Sequence, residues 1–234
     1  MTPSMEHSPA LTRSRIFDGL TDADRRAWLD ASSLRLVKRR QAVARQGEPA
    51  HCFYLVESGL LKLVQVTADG AELIVRFVGP CEPFGGVVAL DGTTYPVTAL
   101  ATDATRLRAW PRETLGPLLH RYPHVRTNIM REMTAHMTDA LTRVRELATE
   151  RVGQRLAHTL LRLMRQGGQP TPDGVLIPHL LTRQELSELT GTTLYTVSRL
   201  LSKWQADGVL QSAGRRLIIR SPRRLQALTI ADDD

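Results

Sequence analysis

The sequence predicts an α+β chain: an antiparallel β-roll, then one long helix, then a winged helix-turn-helix. Three observations carry this. Between residues 33 and 110, short β-like runs recur with turn signals about every eight to twelve residues. After Pro123 the apolar residues switch to spacings of three and four. Over 182–210, TRQELSELTGTTLYTVSRLLSKWQADGVL, small, glycine and apolar residues fall where two helices crossing at a tight turn need them. The expected boundaries are 15–122 for the roll, 123–149 for the helix and 150–225 for the last domain.

The β-like runs are LRLVK at 34–38, CFYLVE at 52–57, LLKLVQV at 60–66, ELIVRFV at 72–78, VTALA at 97–101 and TRLRAW at 105–110. Gly47-Glu48-Pro49, Ser58-Gly59, Ala68-Asp69-Gly70, Gly79-Pro80 and Asp91-Gly92 punctuate them. A helix from about Thr21 to Asp30 precedes the roll, with Thr21 as its N-cap.

The long helix is expected to run from Pro123 to about Leu147 or beyond. Met130, Met133, Met137, Ala140, Val144 and Leu147 recur at spacings of 3, 4, 3, 4 and 3, a seam suited to a parallel two-stranded coiled coil. Periodicity alone fits equally well a stripe packed on the chain's own β-roll. A DNA-binding motif downstream favours the dimer, because such proteins place two recognition helices one turn of DNA apart. Methionine at three seam positions lets the interface repack. A linker is expected at 148–150, then a helix over 151–165 and a polar turn over 166–174, QGGQPTPDG, before the β-like VLIPH.

Thr182 and Glu185 form a capping box, which starts a helix. Leu186 and Leu189 are its buried side, Ser187 allows close approach, and Gly191 supplies a positive φ at the turn. The second helix, about 193–206, buries Val197, Leu200, Leu201 and Trp204. Its other face carries Thr193, Tyr195, Thr196, Ser198, Arg199 and Lys203. Gly208 ends it. Over 209–220, VLQSAGRRLIIR, a hairpin with Arg215 and Arg216 near its tip forms the wing. The expected DNA contacts are therefore Thr182, Arg183, Thr193, Tyr195, Thr196, Ser198, Arg199, Lys203, Arg215 and Arg216.

Charge separates this reading from a plain pair of helices. Residues 151–224 hold twelve Lys and Arg against four Asp and Glu, a charge of +8 in a chain whose net charge is +7, while residues 1–150 carry only +2. Basic charge beside a reading helix is the footprint of phosphate-backbone binding. The 42% hydrophobic and 24% charged content suits a globular protein with room for two modest cores in 234 residues. No apolar run approaches the length of a membrane span, and the start, MTPSMEHSPALTRSR, lacks a signal-peptide core, so a cytoplasmic location and no membrane partner are expected. Only Cys52 and Cys81 are present, too few for a cysteine-ligated iron–sulfur cluster or a four-ligand zinc site. No metal site is expected: Pro123 breaks the helix that would align His120 with His124.

The order of parts resembles the Crp/Fnr superfamily of bacterial transcription regulators, over residues 15–225. The residues that carry the resemblance are Arg45-Gln46-Gly47-Glu48-Pro49-Ala50 leading into Phe53-Tyr54-Leu55-Val56-Glu57-Ser58-Gly59, the DG hairpin at 69–70, and TVSRLL at 196–201. The resemblance implies a cyclic-nucleotide-binding-like jelly roll that senses a signal, a homodimer formed through the long helix, binding to double-stranded DNA, and contact with RNA polymerase through exposed loops of the roll. It also implies an effector pocket at Phe84, Gly85, Gly86, Val97 and Thr98, with Met133 and Met137 from the helix.

Two departures shape the expectation. Members that bind cyclic AMP carry a Gly-Glu pair for the ribose and an Arg-Ser or Arg-Thr pair for the phosphate. Here Gly86 stands for the glutamate, and no arginine occurs between Arg76 and Arg106. A buried phosphate without a cationic partner loses its charge-assisted hydrogen bonds, which argues against cyclic AMP. The effector is left unknown. Haem stays open, with His7, His51, Cys52, Cys81 or Met1 as axial ligands, though none has a diagnostic spacing. Many relatives also have a glutamate where this chain has Tyr195, so the usual half-site does not follow. Arg199 suits a bidentate contact with guanine. A regulator that needs no signal, its roll a mere scaffold, is the alternative. An enzyme is not expected, because no P-loop, G-x-S-x-G, H-E-x-x-H or G-x-G-x-x-G motif occurs.

Overall fold

The computed structural model describes residues 11–67, 72–177, 181–214 and 216–230. Two short 3₁₀ turns, Leu11–Arg13 and Arg15–Phe17, lead into α1 (Asp22–Asp30). Thr21 caps α1 as expected, its Oγ1 accepting from Asp24 N at 3.2 Å. The roll follows: β1 (Ser33–Val37), β2 (Ala42–Ala44), β3 (Cys52–Ser58), β4 (Leu61–Val66), β5 (Glu72–Val78), β6 (Pro83–Phe84), α2 (Gly86–Asp91), β7 (Thr98–Ala101) and β8 (Thr105–Pro111). Then come α3 (Arg112–Arg121), α4 (Pro123–Thr149) and α5 (Val152–Gly167). The chain ends with β9 (Gln169–Thr171), β10 (Gly174–Ile177), α6 (Arg183–Thr190), α7 (Leu194–Ala206), β11 (Leu210–Ala213), β12 (Arg216–Ile219) and α8 (Pro222–Ala227).

The described residues form two compact units. One holds the residues up to Thr138 apart from 72–74; the other holds Asp139 onward together with Glu72–Ile74. In the first, strands order as β1-β8-β3-β6 and β2-β7-β4-β5, all the paired neighbours for which a register is given being antiparallel. Every β-like run of the sequence is a strand. The two strands that alternation missed, β2 and β6, are two or three residues long, too short to show a period.

The first unit's helical side is built on tryptophan. Trp28 and Trp110 meet edge to face at 5.6 Å, and Trp110 Nε1 donates to Trp28 O at 2.9 Å, so the indole donor is satisfied inside the core. The start of α4 joins this core through Val125 and Ile129, while Asn128 Nδ2 donates to the carbonyls of Ile16 and Asp18 at 3.2 and 2.8 Å. Past Ile129 the helix changes character. Met130, Met133, Met137, Val144 and Leu147 are 44–67% exposed, and Ala140 is exposed too. Met130, Met133 and Met137, which share the roll's unit, therefore do not pack into its core.

In the second unit the sheet order is β11-β12-β10-β9. The long helix ends at Thr149, at the expected 123–149 boundary, and α5 starts at Val152, where Gln154 Oε1 accepts from Arg151 N at 2.8 Å and caps it. One expectation needs correction there. Residues 169–171, expected in a polar turn, form the edge strand β9. Pro170 is tolerated on an edge, where its missing N–H faces no partner.

Candidate nucleic-acid interface

Local chemistry builds the helix pair. Thr182 Oγ1 accepts from Glu185 N at 3.1 Å, and Glu185 Oε2 accepts from Thr182 N at 2.9 Å, completing the capping box that starts α6. Gly191 ends α6 with φ +60°, its N–H donating to Ser187 O. Thr193 then caps α7, its Oγ1 accepting from Thr196 N at 3.2 Å. Val197, Leu200, Leu201 and Trp204 are at most 4% exposed. Each such burial contributes roughly 1.5–3 kcal/mol, which fixes the roll angle of α7.

That angle decides what faces outward. Tyr195 is 75% exposed, Arg199 and Lys203 are exposed, and Ser198 is half-buried on the same side. The hydroxyls of Thr182, Thr193 and Thr196, expected as DNA contacts, are engaged in capping: Thr182 Oγ1 also reaches Glu185 Oε2 at 3.0 Å, and the Thr193 and Thr196 hydroxyls share a 2.9 Å bond.

The wing is tied to α7 by Gln205 Nε2, which donates to Ser212 Oγ at 2.9 Å. Between α6 and the wing lies a half-open groove of about 300 Å³ lined by Thr182, Arg183, Gln205, Ser212 and Arg216 among others. Two exposed arginines, Arg183 and Arg216, thus flank one concavity beside the recognition face. Arg215 lies outside the described residues.

The positions expected to form an effector pocket divide. Phe84 stacks between Tyr54 at 6.0 Å and Tyr95 at 5.7 Å. Tyr95 Oη donates to Cys52 O at 3.0 Å, and Arg35 Nη1 donates to Tyr54 Oη at 3.0 Å and Val43 O at 3.3 Å. Burial raises the Tyr54 and Tyr95 phenols above their ordinary range, so both stay neutral donors. Gly85 is left-handed at φ +79°, and a Cβ on Gly86 would lie 3.2 Å from the Phe53 ring. A side chain there would need the Phe53 ring to give by a few tenths of an ångström. Thr98 Oγ1 accepts from Gln46 N at 3.0 Å, and Val97 is half-buried in the same core. Met133 and Met137 stand exposed on α4, with the seam.

The roll offers little to a cyclic nucleotide: Gly86 stands at the position of the ribose-binding acid, no arginine occurs between Arg76 and Arg106 to meet a phosphate, and Phe84 packs with Tyr54 and Tyr95 in the core. For the haem ligands considered above, His51 is exposed and Cys52 and Cys81 are half-buried, while Met1 and His7 lie outside the described residues.

Periodicity did not reveal one cluster in the second unit. The donor atoms of Glu146, Glu150 and His158 lie within 4.8 Å of one another. Arg162 Nη1 reaches both Glu146 oxygens at 2.7 and 2.9 Å, and Arg145 meets Glu150 Oε1 at 3.3 Å. Two guanidiniums already balance two carboxylates, so the cluster is an ion-pair network that joins α4 to α5. Its signal was the i,i+4 Glu146/Glu150 pair.

The chain is recognisably similar to known proteins. Residues 34–122 match the cyclic nucleotide-binding domain family and residues 154–228 the Crp-like helix-turn-helix domain family. It is 29% identical to the cyclic AMP receptor protein of Thermus thermophilus over 215 residues, 92% of this chain and 96% of that protein. It is 29% identical to the transcriptional activator protein Anr of Pseudomonas aeruginosa over 194 residues, 83% of this chain and 79% of that one. In structure it is similar to FixK2 from Bradyrhizobium japonicum, with a TM-score of 0.75 and 23% identity over 86% of this chain and 99% of that one, a likeness of fold. Both domain matches fall on the elements just described and in the same order, so the chain belongs to the Crp/Fnr superfamily and is a DNA-binding transcription regulator of that type.

Proposed function

We propose that the protein acts in the cytoplasm as a homodimer that reads a two-fold operator through α7 and couples promoter binding to a signal received by the β-roll. One observation carries the reading: α7 buries four apolar side chains and leaves Tyr195, Arg199 and Lys203 exposed on its other side, with Ser198 half-buried between them. Arg199 is the base reader, with a guanidinium fork that matches guanine O6 and N7. Arg183, Lys203, Arg216 and Arg215 serve the phosphates. The exposed seam from Met130 to Leu147 is the dimer interface, and its methionines let two dimer states differ by the few kcal/mol that a switch needs. RNA polymerase is met by loops of the roll.

Selection of duplexes from a random-sequence pool tests this directly. The expected product is a palindrome whose half-sites lie about 10 base pairs apart, bound as one dimer per duplex. Enrichment of no sequence would overturn the reading.

A second reading has its own support. The Tyr54–Phe84–Tyr95 stack is buried in the roll's core, which suits a regulator whose roll is a scaffold and needs no ligand. Thermal unfolding with cyclic AMP, cyclic GMP, haemin and 2-oxoglutarate separates the two, since a ligand bound only by the folded state raises the midpoint. A raised midpoint supports a sensing roll; none, together with operator binding by the purified protein, supports the scaffold.

A further inference from the structure

The end of α4 and the end of α6 are held by one side chain. Arg155, in the first turn of α5, donates from Nη1 to Glu150 O at 2.7 Å, from Nε to Thr190 O at 2.9 Å and from Nη2 to Gly191 O at 3.5 Å. Helix C-termini leave carbonyls without intrahelical partners, and a cation there also meets the negative end of the helix dipole. Guanidinium suits three such carbonyls because its donors sit on three nitrogens in a rigid planar fork, whereas an ammonium presents its three from a single point.

The three carbonyls are not equivalent. Glu150 follows the last residue of α4, and its own side chain is fixed by Arg145 at 3.3 Å and His158 at 3.4 Å. Thr190 and Gly191 form the turn that leads to α7: Thr193, which caps the recognition helix, is two residues on, and Tyr195 four. A Cβ on the same glycine would lie 3.0 Å from Cδ2 of Leu147, on the exposed seam.

We infer that Arg155 is a positioning residue for DNA recognition, which indexes the start of the recognition helix to the end of α4. It touches no base and no phosphate; it sets where Tyr195 and Arg199 stand. Base readout depends steeply on such placement, whereas phosphate contacts tolerate small displacements. The inference rests on α7 being the reading helix, as proposed above.

The test uses the full-length chain and the duplex that the wild-type protein enriches from a random pool. Arg155→Met removes the fork; Arg155→Lys keeps the charge but offers a point donor. Arg165→Met, which removes an exposed charge from the same helix, is the control. For each, affinity is measured for the enriched duplex and for a random duplex, with the salt dependence and the unfolding midpoint. Both Arg155 variants should lose about tenfold in the enriched-to-random ratio. Their random-duplex affinity and salt slope should stay within about twofold of wild type. Arg165→Met should keep the ratio. A ratio retained in both variants, or restored by lysine, would overturn the inference, since a structural or purely electrostatic role predicts that result. Should Arg155→Met fail to fold by circular dichroism, Arg155→Lys carries the comparison. If the wild-type chain enriches no sequence, the reading of α7 falls and this inference with it.

Discussion

Leu147, on the seam of α4, lies against Gly191 in the turn between α6 and α7: a Cβ built on the glycine would come within 3.0 Å of Leu147 Cδ2. The same glycine has φ +60°. Gly191→Ala is therefore disfavoured by its backbone and by its neighbour. The left-handed conformation alone costs an L-residue about 1–2 kcal/mol, and the Leu147 methyl has to move. Urea unfolding followed by hydrogen exchange in α6 and α7 should show a loss of about that size in the C-terminal unit. An unchanged exchange pattern would contradict this account of the turn.

Arg199 and Arg216 should fail differently. Arg199→Ala should cost about 1–3 kcal/mol on the enriched operator and relax selectivity at one guanine, because it removes a bidentate base contact. Arg216→Ala should weaken operator and random duplexes alike and reduce the salt slope by about one. Fluorescence anisotropy titrations at several salt concentrations separate the two. Equal losses on both duplexes for Arg199→Ala would remove it from the role of base reader.

The seam makes a prediction about assembly. Val144 is 63% and Met137 67% exposed in the single chain, so glutamate at either position disturbs no packing within it. Val144→Glu and Met137→Glu should leave the helical signal in circular dichroism intact while shifting sedimentation from dimer to monomer. Like charges facing each other across a coiled-coil core supply the repulsion. A dimer that survives both changes places the interface elsewhere.

His136 gives the first unit an acid sensitivity. Burial, and then the Arg76 guanidinium, lower its imidazole from the ordinary 6.5 to about 4. Its contribution is complete above pH 6.5, where both folded and unfolded forms are neutral. As pH falls from 6.5 towards 4 the unfolded chain takes up the proton and the folded one does not, so stability falls by on the order of 2–3 kcal/mol. Denaturation at pH 7.5 and 4.5 should show this difference in the wild type and a smaller one in His136→Gln. Equal differences would assign the acid sensitivity to other groups.

The sequence by itself determined what short-range chemistry dictates. Thr21, Thr182 and Thr193 cap their helices because a hydroxyl two or three residues ahead of an open N–H needs nothing else. Gly191 takes a positive φ, and the apolar period of 194–206 buries the four side chains it marks. The tertiary structure decided what depends on residues far apart in the chain. Arg155 meets carbonyls 35 and 36 residues away, Phe84 stacks on Tyr54 thirty residues before it, and Glu57, directed inward by a bulge in β3, pairs with the buried Arg108 at 3.3 Å. Pro170 became a strand because β10 offered it an edge. Local propensity has no access to such partners, since the free energy of each contact exists only after the chain between them has closed.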